Sequence, residues 1–97
     1  MQIENKRTEI DALDEAIVDL LNRRAVLAKD ISIIKFGAGL PIVDERREHE
    51  VLQRLKQANE GAIDDMAITR IYRTILIESR RIQSTIWSEL SANGVRR

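Results

Sequence analysis

The 97 residues suffice for one domain, and 43% of them are hydrophobic, so the chain can bury a core. Its 16 Lys and Arg residues balance 16 Asp and Glu, and its aromatics are one Phe, one Tyr and one Trp, which disfavours general nucleic-acid binding. With no Cys and a single His, disulfide and thiolate chemistry and a His-based metal cluster are excluded.

The first 15 residues contain no apolar stretch of the kind a secretory signal needs, and no apolar run is long enough to span a membrane. A cytoplasmic protein without a membrane partner is expected. The pattern predicts a first helix over about residues 4–35. Ile10, Leu13, Ile17, Leu20, Leu27, Ile31 and Ile34 recur in alternating steps of three and four, which is heptad spacing. A helix of about 30 residues is about 45 Å long, more than the rest of this short chain can cover. The uncovered stripe predicts a homodimer.

Arg24 interrupts that seam, between Leu20 and Leu27. Its neighbours one turn away, Leu20, Leu21, Leu27 and Ala28, offer no acid. An inward arginine is costly without an anion. It snorkels, meets an acid from another helix, or binds an anionic ligand. Lys35 lies three turns further on nearly the same face, also without a helical acid partner. It reads either as a C-terminal lysine favoured by the helix dipole or as a second anion-binding group.

The single Pro, Pro41, marks a loop from Phe36 to Val43. Asp44 is the expected N-cap of a second helix over about 45–59, with Val51, Leu52 and Leu55 on its inner face. Glu48 and Asp44 fall on the same stripe and Arg47 borders it. Capping accounts for Asp44 and explains Glu48 less well. Gly61 suits the C′ position after this helix, and Asp64 or Asp65 the cap of the next. The third helix is expected over about 65–91. Ile68, Tyr72, Ile75, Ile82 and Ile86 are in step, Ser79 fills the missing slot, and Gln83 follows one turn later. Small polar residues in such slots are often satisfied locally. Residues 91–97 read as a flexible tail, leaving a single domain over 1–97 with its core at about 4–90.

Arg7 has Glu4 and Asp11 beside it, so a surface ion pair is the simple reading. It lies roughly 42 Å from Lys35 along one straight helix. An antiparallel partner chain could bring its own Arg7 to the Lys35 region. The inward polar set is Arg24, Lys35, Asp44, Arg47, Glu48, Ser79 and Gln83, joined by Arg7 of a second copy if such a dimer forms. It is rich in cations and contains no nucleophile–base pair. It suits a small hydroxylated dicarboxylate rather than proton shuttling or covalent catalysis.

These residues resemble the all-α chorismate mutases over roughly residues 4–84. The likeness rests on Arg7 followed by Ile10-Asp11-Ala12-Leu13-Asp14, and on Leu20-Leu21-Asn22-Arg23-Arg24. It continues through Lys35 ahead of the Pro41 loop, Asp44-Glu45-Arg46-Arg47-Glu48, and Ser79 with Gln83. The resemblance implies an all-α fold of three helices in an intertwined homodimer. Each of its two sites is completed by Arg7 from the partner.

The reaction implied is the pericyclic rearrangement of chorismate to prephenate in phenylalanine and tyrosine biosynthesis, needing no acid, base, metal or cofactor. The enzyme restricts a flexible substrate to a chair-like conformer and stabilises charge on the ether oxygen. By resemblance, Arg24 and the partner's Arg7 clamp the two carboxylates, and Lys35 and Gln83 donate to the ether oxygen. Glu48 accepts from the ring hydroxyl, aided by backbone near Asp44. Ser79 contacts a carboxylate, and Arg47 orders the site.

An isochorismate-pyruvate lyase shares the scaffold, but lyases of that kind lack the acidic pair equivalent to Asp44 and Glu48. A non-catalytic helical dimerisation module explains the seam but not the inward charges. The chain is too short to hold a dehydratase, dehydrogenase or amino-acid-sensing domain and reads as monofunctional. Fusion to another pathway enzyme, or docking on one, stays open.

Overall fold

The computed structural model describes residues 1–93. It contains three helices and, among the described residues, no strand: α1 (Gln2–Ala38), α2 (Glu45–Ala58) and α3 (Asp65–Ala92). α3 is the central element, with α1 packed along one side and α2 along another.

The helix ends follow local chemistry. α1 runs through Lys35 to Ala38 because the stop is Gly39, in the left-handed conformation at φ 71°. There the Gly39 amide donates to Phe36 O at 3.4 Å and the Leu40 amide to Lys35 O at 2.9 Å. This is a Schellman closure, and the positive φ favours glycine. Asp44 caps α2 as expected, its Oδ1 accepting from the Arg47 amide at 3.0 Å. Asp64 does the same for α3, accepting from the Ala67 amide at 2.7 Å.

Gly61 does not terminate α2, contrary to the pattern. The helix ends on Asn59 in extended geometry. The Asn59 side chain donates to Ile63 O at 2.7 Å and to Asp65 Oδ1 at 2.9 Å, and accepts from the Gly61 amide at 3.3 Å. One asparagine side chain thus organises the α2–α3 turn without a left-handed residue. At the other end of α3, Ser91 and Ala92 belong to the helix rather than to a tail. The rest of the expected tail, 94–97, lies outside the described residues.

The core is small. Ala28 and Phe36 of α1, Val51 of α2 and Leu76 of α3 are its buried apolar members. Ser32 is fully buried between α1 and α3, and its hydroxyl donates to Gln83 O at 3.1 Å. Trp87 donates from Nε1 to Ser32 O at 2.9 Å, and its ring meets Phe36 edge-on at 5.6 Å. The α1 face against α3 is thus Ala28, Ser32 and Phe36, one helical row away from the heptad seam.

That seam stays bare. Every residue from Met1 to Arg23 is exposed. Leu13, Leu27 and Ile34 are 63%, 61% and 67% exposed. The N-terminal half of α1 projects as a rod, which gives the chain its 58 Å long axis.

The Asp64 cap gives a first prediction. Asp64→Ala removes the acceptor for the Ala67 amide, far from the residues that line the cavity below. Unfolding in urea should show a loss of about 1 kcal/mol. An unchanged midpoint and slope at matched concentration would remove the cap from the account of α3.

Candidate active site

The C-terminal half of α1, the loop before α2, the first turns of α2 and the middle of α3 surround a cavity of about 420 Å³. Arg24 and Lys35 reach it from α1, Asp44, Arg47 and Glu48 from the loop and α2, and Ser79 and Gln83 from α3. The structure thus brings together seven of the eight residues singled out in the sequence. The eighth, Arg7, is exposed at the far end of α1 and pairs with Glu4 at 3.1 Å.

Arg24 is half-buried, and its guanidinium donates to the Ser79 hydroxyl. Among the described residues it has no ion-pair partner. The hydroxyl orients the guanidinium without neutralising it. Lys35 donates from Nζ to Ile42 O at 2.9 Å. That bond anchors the Pro41 loop and uses one of three ammonium hydrogens, leaving two for a ligand. The Schellman closure after Lys35 fixes where α1 ends and hence where this ammonium sits. Asp44 and Arg47 meet through the N-cap bond.

Glu48 is not the free acceptor that the sequence suggests. Arg80, from α3, clamps it. Arg80 Nε donates to Glu48 Oε2 at 2.7 Å and a terminal nitrogen donates to Oε1. The two side chains are 39% and 23% exposed, and both line the cavity. The hydrogen bond to Glu48, with the attraction of the Glu48 and Glu45 carboxylates, holds Arg80 above its ordinary pKa against a smaller desolvation effect.

Sequence periodicity does not find Arg80. It stands in the run Ser79-Arg80-Arg81, which reads as a solvated helix face. The available signal was Glu48 itself, an inward acid without a cation on its own helix face.

Gln83 is buried, and its Oε1 is the one buried side-chain polar atom among the described residues without a hydrogen-bond partner. The unmet atom is an acceptor beside the cavity and calls for a donor there. The remaining walls include Leu27, Ile31, Val51 and Leu76. Leu27 and Ile31 also belong to the bare seam, so the cavity opens beside it. Four cations and two carboxylates line the space, a formal excess of two positive charges. Among the described residues no group of acids and His could hold a metal ion, and no helix is long and apolar enough to cross a membrane.

The same architecture occurs in known proteins. Residues 6–84 match the family described as chorismate mutase type II, and the chain belongs to that family. A bifunctional chorismate mutase/prephenate dehydratase of Aquifex aeolicus is 40% identical over 79 residues, covering 77% of this chain but 22% of the relative. The chain therefore spans about a fifth of the length of such bifunctional relatives. A 4-amino-4-deoxychorismate mutase of Streptomyces venezuelae is 28% identical, covering 93% of this chain and 88% of that protein. The crystal structure of a chorismate mutase from Helicobacter pylori in complex with prephenate superposes with a TM-score of 0.84. It is 38% identical and covers 91% of this chain and 96% of that one.

Proposed function

We propose that this chain is a chorismate mutase that rearranges chorismate to prephenate as one half of a homodimer. The observation that carries the reading is a cavity with two excess positive charges, holding an arginine that no carboxylate among the described residues neutralises. Chorismate is a dianion. Its two carboxylates match that excess, and its polarised transition state places further negative charge on the ether oxygen.

Each residue has a role of the kind its surroundings permit. Arg24, oriented by Ser79, forms a charge-assisted fork with one carboxylate. Lys35, with its two unused hydrogens, and the Gln83 amide donate to the ether oxygen, where a preorganised donor is worth most. Glu48 accepts from the ring hydroxyl, and Asp44 holds the local backbone through the α2 cap. Arg47 borders the entrance. The Leu27, Ile31, Val51 and Leu76 walls favour the compact conformer over the extended one that water prefers.

The homodimer follows from the bare seam. When two α1 helices run antiparallel with Ile17 against Leu20, Ile10 falls opposite Leu27 and Ile3 opposite Ile34. Three seam pairs are then apolar on both sides, while Leu13 falls opposite Arg24 and Lys6 opposite Ile31. In this register the partner's Arg7 lies beside Leu27 and Ile31, at the mouth of the cavity. The second carboxylate thereby gains its clamp.

The experiment is product analysis. The purified protein is incubated separately with chorismate and with isochorismate. Prephenate from chorismate is the expected result. Pyruvate from isochorismate would instead assign the lyase reaction. Turnover of neither would leave a dimerisation module.

A further inference from the structure

The Glu48–Arg80 clamp has a consequence for substrate choice that rests on the reading of the cavity as a chorismate site. We infer that Arg80 is a specificity-determining residue, acting through Glu48, that makes the site select a neutral hydroxyl over an ammonium group at ring position 4 of the substrate.

Glu48 stands where a donor on the substrate ring is to be met. A bare carboxylate there accepts a hydroxyl, but attracts an ammonium more strongly, because the charges are opposite. In this chain the carboxylate is not bare. Arg80 Nε meets Oε2 at 2.7 Å and the second guanidinium nitrogen meets Oε1, so the fork occupies one lone pair on each oxygen. One acceptor position per oxygen remains, which suffices for a hydroxyl hydrogen.

The net charge of the pair is zero. An ammonium at the same place gains no unbalanced anion. It also faces the Arg80 guanidinium behind the carboxylate, and Arg24, Lys35 and Arg47 around the cavity. The part-buried setting strengthens this repulsion relative to open water. The clamp also keeps Glu48 in one orientation, since bidentate pairing fixes the plane of both groups.

The natural test pair is chorismate and 4-amino-4-deoxychorismate, the substrate in the name of the Streptomyces venezuelae relative. The readout is the ratio of kcat/KM for the two compounds at one pH. The native protein should prefer chorismate. Arg80→Gln leaves Glu48 as an uncompensated anion, so the ratio should fall at least tenfold towards the amine. Arg80→Lys, which restores the cation, should recover most of the preference. A ratio unchanged in Arg80→Gln, or equally lowered in Arg80→Lys, overturns the inference.

The native protein supplies an independent measurement. If ammonium charge is what the site rejects, kcat/KM for the amine, divided by that for chorismate, must rise with pH as the amine loses its proton. A flat ratio overturns the inference even if no variant folds. These failures are separate from failure of the mutase reading, which appears as a native protein that converts neither compound.

Discussion

Arg24→Leu is expected to remove nearly all turnover while leaving the helices as stable as before, or more so. The two effects have opposite signs because they come from different states. In the free protein the guanidinium sits half-buried, oriented by a hydroxyl and balanced by no carboxylate among the described residues. Leucine at this seam position removes that unbalanced charge and adds apolar surface between Leu20 and Leu27, a change that tends to be neutral or stabilising. In the proposed substrate complex the same guanidinium would make two charge-assisted hydrogen bonds to a carboxylate. At about 1.5–3 kcal/mol each these are worth about 3–6 kcal/mol together. At ~1.4 kcal/mol per decade, that is roughly a 10²–10⁴-fold loss of kcat/KM. The check is a thermal melt beside a progress curve at matched protein concentration. Retained turnover in the leucine variant would remove the anion-binding account of the cavity. Lost turnover with lost structure would show Arg24 to be a scaffold element instead.

How far each feature is legible in the sequence depends on the distance over which it is determined. The three helices were readable because their signals are local: Asp44 and Asp64 cap within three residues, and periodic apolar positions mark each body. The end of α1 fell three residues beyond the expected 35 because a glycine stop acts through its backbone angle at Gly39, not through the last apolar residue. The Gly61 expectation failed because Asn59 reaches across the turn with its side chain. The seven cavity residues could be gathered from one chain because Arg24, Glu48 and Ser79 break apolar stripes and Lys35, Asp44, Arg47 and Gln83 lie on or beside them. Arg80 broke none. Its partner is 32 residues away on another helix, and no helical period records such a pairing. Ser32 was hidden for the same reason: its hydroxyl is satisfied by a carbonyl 51 residues away, so a polar residue occupies the most buried position of α1.

The bare seam and the distance of Arg7 from the cavity converge on subunit mixing. Arg7→Ala and Lys35→Ala proteins should each be nearly inactive alone. One lacks the carboxylate clamp in both sites and the other lacks the ether-oxygen donor in both. Loss of one such donor typically costs roughly 10²–10³-fold in kcat. In a dimer with one chain of each kind, the two defects fall in the same site. The other site receives Lys35 from its own chain and Arg7 from the partner, and is whole.

Random pairing of equal amounts makes half of the dimers mixed and restores one site in each. The recovered rate should then be about one quarter of the native rate per chain. Because α1 helices wrapped about each other in the proposed dimer would separate slowly, the chains are refolded together or co-expressed with two affinity tags, and the doubly tagged species is assayed. Recovery near about one half of the native rate per chain in this purified mixed dimer, against one quarter in the unsorted mixture, requires the arginine to cross between chains, since no arrangement confined to one chain can repair either defect. A verified mixed dimer that stays inactive would return Arg7 to its surface pairing with Glu4. The second carboxylate would then rest on the cations of a single chain, Arg47 foremost, as the border residue without an ion-pair partner among those described.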